Sequence, residues 1–256
     1  MGVRRGWVCV VPTPTDRDRV RRNDADARCL GFPSPPSVPG EARRDLEITS
    51  DQALQRKHRS EALLRREAVP INQSLPVIET ESEAHLRSKQ EVAYRALALL
   101  VVAVKGEGLE QPIVEKLVEQ YGLTPYFTPK EAAFINNPTP SKVDRTQFSW
   151  RYESAWVMLW ALGYVEDLGK PSSICDVSKA VTIMKERTSA QFLADAKPRS
   201  FSQVLDEADL IYRYDWAVVD ARVNGKSAPA GLDPGCRTKA ASCAQLAHRL
   251  HGSAVG

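Results

Sequence analysis

Three carboxylic acids lie in apolar segments with a helical pattern, where an acid is either paired or chemically active. Glu153 belongs to the segment FSWRYESAWVMLWALG, whereas Asp206 and Asp209 belong to FSQVLDEADLIYRYDWAVVDARV. If the two segments pack together, the three side chains converge as a carboxylate cluster. Such a cluster binds a divalent cation through oxygen ligands or acts as an acid and a base. The three residues are therefore candidate catalytic residues.

Two arginines favour a structural role for the same acids. Arg151 lies two residues before Glu153, so on a helix their side chains point about 200° apart and must find separate partners. Arg213 follows Asp209 by four residues, which is the spacing of an ion pair on one helix face. A buried charge is tolerated only when it is paired. We favour this structural interpretation, and the sequence predicts neither a metal site nor a cofactor.

Tryptophans in the same segments are candidates for binding. At helical spacing in apolar runs, tryptophans are more typical of a core than of a pocket. Trp150 is likewise predicted to lie in the core. Cys175, which has no histidine near it in sequence, is interpreted as packed and unreactive. The sequence contains no GxSxG elbow and no P-loop. The candidate binding residues are Arg151, Trp156, Trp160, Arg213 and Trp216.

Charge and cysteine usage restrict the class of protein. Residues 1–46 hold nine arginines against six acids, and residues 236–256 hold three basic residues and no acid, so each end carries +3. Because the whole chain of 256 residues also carries +3, the body carries −3 and offers no basic surface for nucleic acid. The longest apolar run, residues 96–104, is too short to span a bilayer. With five cysteines and no CxxC pair, a bacterial cytoplasmic protein is expected.

Helix-start signals recur along the body of the chain from Asp51 onward. No segment shows the alternation of a strand, so the sequence predicts a mainly α protein with a single compact multi-helix domain. The apolar run EVAYRALALLVVAV is expected to be the central helix. The predicted caps or capping boxes begin at Ser88, Thr128, Asp144, Asp176 and Ser200.

Three motifs resemble a known family when they are taken in order. LRSKQEVAYRALALL, WRYESAWVMLWALG, and LDEADLIYRYDWAVVDAR followed by GLDPG are similar to the bacterial family catalogued as domain of unknown function 4272. The resemblance spans residues 56–235. It indicates the extent of the folded region, but it implies no activity, cofactor or catalytic residue. Asp215 precedes Trp216 where the family tends to have histidine, which puts a shared imidazole chemistry in doubt.

Both ends are expected to lie outside the folded domain, which we place at residues 47–235. Residues 1–46 are rich in proline and charge without an apolar period, so we expect a disordered or non-native extension, such as translation from an upstream start codon. After GLDPG the family closes with aromatic residues, whereas residues 236–256 do not. Codons for QLAHRLHGSAVG can be chosen so that a shifted frame reads NWLTGYMGQRW. A frameshifted tail is therefore a hypothesis, which resequencing tests.

Two hypotheses of function follow from these patterns. The first is a soluble non-catalytic binding or interaction domain, whose partner, a protein or small molecule, lies between the tryptophan helix and the long acidic helix. The second is a metal-dependent, hydrolase-like enzyme that uses Glu153, Asp206 and Asp209. Because no recognised catalytic signature is present, the first is favoured. A divalent cation in the carboxylate cluster would favour the second, and arginine in its place would favour the first.

Overall fold

The computed structural model describes residues 40–85 and 87–233, with side chains from residue 51 onward. Within these ranges the chain is helical and contains no β-strand, which confirms the mainly α class. Most of residues 1–46 and all of residues 236–256 lie outside the described residues, so the hypotheses about both ends remain predictions. The helices are α1 (Gly40–Arg66), α2 (Lys89–Gly106), α3 (Gln111–Tyr121), α4 (Pro129–Asn136), α5 (Lys142–Ser149), α6 (Arg151–Ala161), α7 (Val177–Lys185), α8 (Ser189–Asp195) and α9 (Phe201–Val223), with 3-10 turns at Thr124–Tyr126 and Pro229–Gly231.

Helix α2 is the centre of the main core, as its apolar sequence predicts. It packs most extensively against α6 and α5, and α3, α4, α7 and α8 also contact it. Residues from Ala96 to Ala103 are almost fully buried. Because each large apolar side chain buried in this way contributes about 1.5–3 kcal/mol, α2 anchors the helices around it.

Local capping signals define most of the helix starts. The predicted capping boxes at Ser88 and Thr128 are present, and the predicted cap at Ser200 belongs to a capping box with Gln203. At the predicted cap Asp176, the side chain accepts a hydrogen bond from Lys179 N at 2.8 Å. A further box, in which Thr188 caps α8, was missed in the sequence. These starts were predictable because a cap satisfies the free N–H groups of its own helix and needs no distant partner.

The segment between α5 and α6 corrects two predictions. Ser141 caps α5, so Asp144 lies in the first turn of that helix and does not start the tryptophan helix. The chain changes direction at Trp150, and α6 begins at Arg151 without a side-chain cap. Trp150 is 43% exposed because it occupies this corner, so its assignment to the core was wrong.

Helices α1 and α9 share a second, smaller apolar cluster. Leu64 and Val69 pack with Tyr214 and Val218, and the partly buried Trp216 lies against the same cluster. The Tyr214 hydroxyl donates a hydrogen bond to Glu67 across the two helices at 2.6 Å. This packing holds α1 beside α9 and leaves a cleft between them.

In the described ranges, no helix combines the length and the apolar character that crossing a membrane requires.

Candidate functional site

The three predicted catalytic acids have three separate sets of partners. On α6, Glu153 Oε1 accepts a hydrogen bond from Cys175 N at 2.7 Å, and both residues are buried. On α9, Asp206 pairs with arginines of α1, whereas Asp209 pairs within its own helix. Within residues 40–85 and 87–233, no group of three or more His, Cys, Asp or Glu residues is placed to hold a metal ion. The predicted carboxylate cluster is therefore not formed.

The predicted ion pair of α9 is present and completely buried. Arg213 donates from Nε and Nη2 to the two carboxylate oxygens of Asp209, each at 2.8 Å. Its Nη1 lies 3.8 Å from Glu61 on α1, and its Nη2 lies 3.4 Å from the Pro76 carbonyl oxygen. The pair thus joins α9 to α1 and to the connection that follows α1. Its position is typical of a structural ion pair.

Arg151 neutralises an acid that the sequence analysis did not consider. Its Nε lies 3.3 Å from Glu131 on α4, and Arg95 of α2 binds the same carboxylate at 2.6 and 2.8 Å. Burial by itself raises the pKa of Glu131, but the hydrogen bonds and charge of Arg95, with help from Thr128 and Arg151, hold this pKa below its usual value. Arg151 and Glu153 therefore belong to different contacts, as their spacing required.

A charged cleft lies between α1 and α9, which we call the Glu207 cleft. Its volume is about 440 Å³, within the usual range for small-molecule sites. Two candidates from the sequence line it, namely Trp160 and Asp206, whereas Trp156 belongs to the main core. Its charged lining residues are Arg56, Arg59, Arg66, Glu166, Asp167, Arg199, Asp206 and Glu207.

Glu207 is the most perturbed acid in this cleft. Its pKa is raised from 4.5 to about 7: burial is the largest cause, the charges of Asp167 and Asp206 add to it, and the charge of Arg199 opposes them. Among the described residues its carboxyl group makes no hydrogen bond or ion pair. A carboxyl group with a pKa near 7 and space beside it is available to a ligand.

Arg56 supplies a second unsatisfied group in the same cleft. The residue is 3% exposed, and its Nε donates to Asp206 at 3.0 Å. The more exposed Arg59 donates to the same carboxylate oxygen at 2.7 Å. One carboxylate therefore serves two guanidinium groups. The buried Nη1 of Arg56 has no hydrogen-bond partner in the described part of the chain.

Arg199 stands at the end of the cleft and is held firmly. Its guanidinium carbon lies 4.7 Å from the centroid of the Trp160 ring, and its Nε donates to the Trp160 carbonyl at 3.0 Å. Its Nη2 donates to the carbonyl oxygens of Val165 and Glu166. These acceptors follow the end of α6, where carbonyl groups lack helical partners. The Arg199 side chain also lines a second cleft.

Glu207, Arg56 and Arg199 were all missed in the sequence analysis. Glu207 adjoins Asp206 but precedes no arginine at pairing distance within its helix, and Arg199 immediately precedes the cap residue Ser200. The available signal was on α1, where Arg59 and Arg66 are seven residues apart and therefore share one helix face. That signal predicts a basic stripe but does not identify its partner helix.

The fold and the cleft define an α-helical domain with a small, charged, partly enclosed site. The chain belongs to the family described as Domain of unknown function (DUF4272), whose model matches residues 56–239. The resemblance predicted from three motifs is thus confirmed. The match includes the residues that line the Glu207 cleft. No curated protein and no solved structure matches the chain.

Proposed function

We propose that this chain is a non-catalytic binding domain that holds a small molecule in the Glu207 cleft. The molecule carries an ammonium group for Glu207 and a hydrogen-bond acceptor, such as a carboxylate, for the arginine side of the cleft. One observation supports this proposal most directly. The cleft is lined by the Glu207 carboxyl group, which has no hydrogen-bond partner among the described residues, and by the side chains of Arg56, Arg59, Arg66 and Arg199.

A buried carboxyl group such as that of Glu207 is costly to leave without a partner. A buried polar group without a partner costs about 1–3 kcal/mol, and the cost is greater when the group is charged. A ligand whose ammonium group contacts Glu207 recovers part of this free energy on binding, and the arginines of the cleft favour a negatively charged group at its other end. Because the cleft is concave and has the volume of a small-molecule site, a small molecule fits it better than a protein surface does.

The test uses amino acids of increasing length, since the ligand must bridge opposite charges. β-Alanine, γ-aminobutyrate and ε-aminocaproate are compared with n-butylamine and butyrate by thermal unfolding and by isothermal titration calorimetry. At least one amino acid should raise the midpoint by about 2–4 °C for each kcal/mol of ligand-induced stabilisation, which grows with ligand concentration as RT ln(1 + [L]/Kd). The two single-charge compounds should have a smaller effect because each satisfies one group.

Matched variants separate site binding from general stabilisation by solutes. Glu207→Gln should abolish the preference for amino acids. Glu119→Gln, which removes the same charge from an exposed position on α3, should retain it. If no amino acid binds, or if Glu207→Gln binds as the wild type does, the proposal is wrong.

Acid–base catalysis by Glu207 is a second candidate function. The observation that favours it is the pKa raised to about 7, because a group that titrates near neutral pH both donates and accepts protons efficiently. The discriminating measurement is product formation from any amino acid that binds, followed by mass spectrometry. Turnover by the wild type and none by Glu207→Gln would establish an enzyme, whereas unchanged ligand would support a binding domain.

A further inference from the structure

A second cleft shares Arg199 with the first, and we call it the Lys197 cleft. Its volume is about 490 Å³. It shares Glu166, Arg199 and Gln203 with the Glu207 cleft, and it adds the side chains of Lys179 and Lys197. The residues that line it include three cations and one acid, so the cleft carries a net charge of about +2 when all four are ionised.

The wall of this cleft is fixed by backbone contacts. Lys197 N donates to the Leu162 carbonyl at 2.8 Å, and Arg199 N donates to the Ala161 carbonyl at 2.9 Å. These bonds hold the segment that precedes α9 against the end of α6. Gly163 permits the contact, because a Cβ atom at this position would lie 2.4 Å from the Lys197 carbonyl oxygen. The cationic side chains therefore project from a defined backbone.

Arg199 provides a positioned charge that no acid neutralises directly. Three backbone carbonyls hold its Nε and Nη2, and the Trp160 ring lies beside its guanidinium group. It forms no ion pair with a carboxylate in the described ranges, and its Nη1 makes no hydrogen bond there. A guanidinium group that is held in place and retains a free N–H edge is well suited to an anion.

Two lysines complete the cationic surface of the cleft. Lys179 and Lys197 are exposed, and neither side chain forms an ion pair or hydrogen bond within the described residues. Lys179 Nζ lies 6.0 Å from the centroid of the Trp156 ring, which keeps it near the cleft. Exposed lysines are usually only solvated, but here they face the same concave space as a fixed guanidinium group. A concave surface with an excess of positive charge, here three cations against the single acid Glu166, attracts an anionic ligand.

We infer that the Lys197 cleft is an anion site that binds a phosphoryl group. A phosphate monoester carries about −1.5 to −2 charges at pH 7, which matches the excess positive charge of the cleft. Its oxygen atoms accept hydrogen bonds from the Arg199 edge and from both lysines, whereas a carboxylate offers fewer acceptors and less charge. This inference does not depend on which molecule fills the Glu207 cleft.

The test measures binding of inorganic phosphate, glycerol 3-phosphate and acetate by isothermal titration calorimetry at constant ionic strength. Phosphate compounds should bind more tightly than acetate. Tighter binding of glycerol 3-phosphate would identify an ester as the ligand, and equal binding would identify free phosphate. The double variant Lys179→Gln/Lys197→Gln should weaken phosphate binding by about tenfold or more, because it removes two charges at the site.

The control is Lys116→Gln/Lys130→Gln, which removes the same charge from exposed lysines on other helices. This variant should change phosphate affinity by less than about twofold, since distant exposed charges are screened by salt. Equal weakening in both double variants would mean that net charge alone attracts phosphate, and the inference would be wrong. It would also be wrong if acetate bound as tightly as phosphate, or if the wild type bound neither.

Discussion

Arg199 lies over the indole ring of Trp160 and also donates a hydrogen bond to the carbonyl oxygen of the same residue. The ring centroid is 4.7 Å from the guanidinium carbon. Through this double contact, one side chain is fixed at the end of α6, where it lines both clefts. Trp160 was a predicted binding residue, and the structure places its buried ring at the wall of the Glu207 cleft.

Gly163 should be the least replaceable glycine at this junction. Both Gly163 and Gly122 have positive φ, +80° and +65°, but a Cβ atom would collide with backbone only at Gly163. We expect Gly122→Ala to lower the free energy of unfolding by about 1–2 kcal/mol through left-handed strain. Gly163→Ala should lower the free energy of unfolding by at least about 1 kcal/mol more than Gly122→Ala does, because its Cβ atom collides with the backbone. Urea denaturation of both variants measures the difference, and equal costs would contradict the close approach.

Removing Asp209 should destabilise the domain strongly. Asp209→Ala leaves the buried Arg213 without its bidentate partner, and such losses cost about 3–5 kcal/mol. Replacing both residues, as in Asp209→Leu/Arg213→Met, should be less harmful than the single change, because it leaves no unpaired guanidinium group and Glu61 keeps its ion pairs with Lys57 and Arg65. The control Asp220→Ala, at an exposed position of the same helix, should change the free energy of unfolding by no more than about 0.5 kcal/mol. Chemical denaturation measures the free energy of unfolding of each variant. The prediction would be contradicted if Asp209→Ala were as stable as the wild type.

Glu207 should make stability depend on pH in a defined direction. Its pKa is raised from 4.5 to about 7, so the folded chain retains a proton that the unfolded chain has lost. Its contribution to stability is therefore complete below about pH 4.5 and is lost as the pH rises through about 7. Relative to wild type, Glu207→Gln should gain stability between pH 5 and 8, by up to about 3 kcal/mol.

The measurement for Glu207 is the free energy of unfolding in urea at several pH values in that window. Other acids also titrate, but their effects cancel in the difference between the wild type and the variant. Glu119→Gln, which alters an exposed acid, should show no comparable trend. A difference that stays constant from pH 5 to 8 would show that Glu207 titrates alike in the folded and unfolded chains.

The cap of α9 should contribute measurably to the helix that carries Glu207. Ser200 accepts a hydrogen bond from Gln203 N and completes a capping box. We expect Ser200→Ala to cost about 0.5–2 kcal/mol of unfolding free energy. Ser202→Ala, two residues later and exposed, removes the same hydroxyl type without removing the cap and should be nearly neutral. Thermal unfolding compares the two, and similar losses would argue against the cap.

Much of the fold was predictable from the sequence because its signals are local. The capping boxes at Ser88 and Thr128, the central apolar helix and the ion pair between Asp209 and Arg213 all involve residues within one helix or its first turn. A helix repeats every 3.6 residues, so spacing alone shows which of these side chains are neighbours. The corner at Trp150 was missed because it depends on how α5 and α6 pack against α2.

The site itself was decided by tertiary packing. Asp206 meets Arg56 across 150 residues of sequence, and Glu207 acquires its raised pKa only because burial and the charge of Asp167 act on it together. The sequence by itself determined the mainly α class, the central helix, several helix caps and the family. Which charges meet, and which remain unpaired in a cleft, depends on how helices far apart in the chain cross, and helical periodicity carries no information about that crossing.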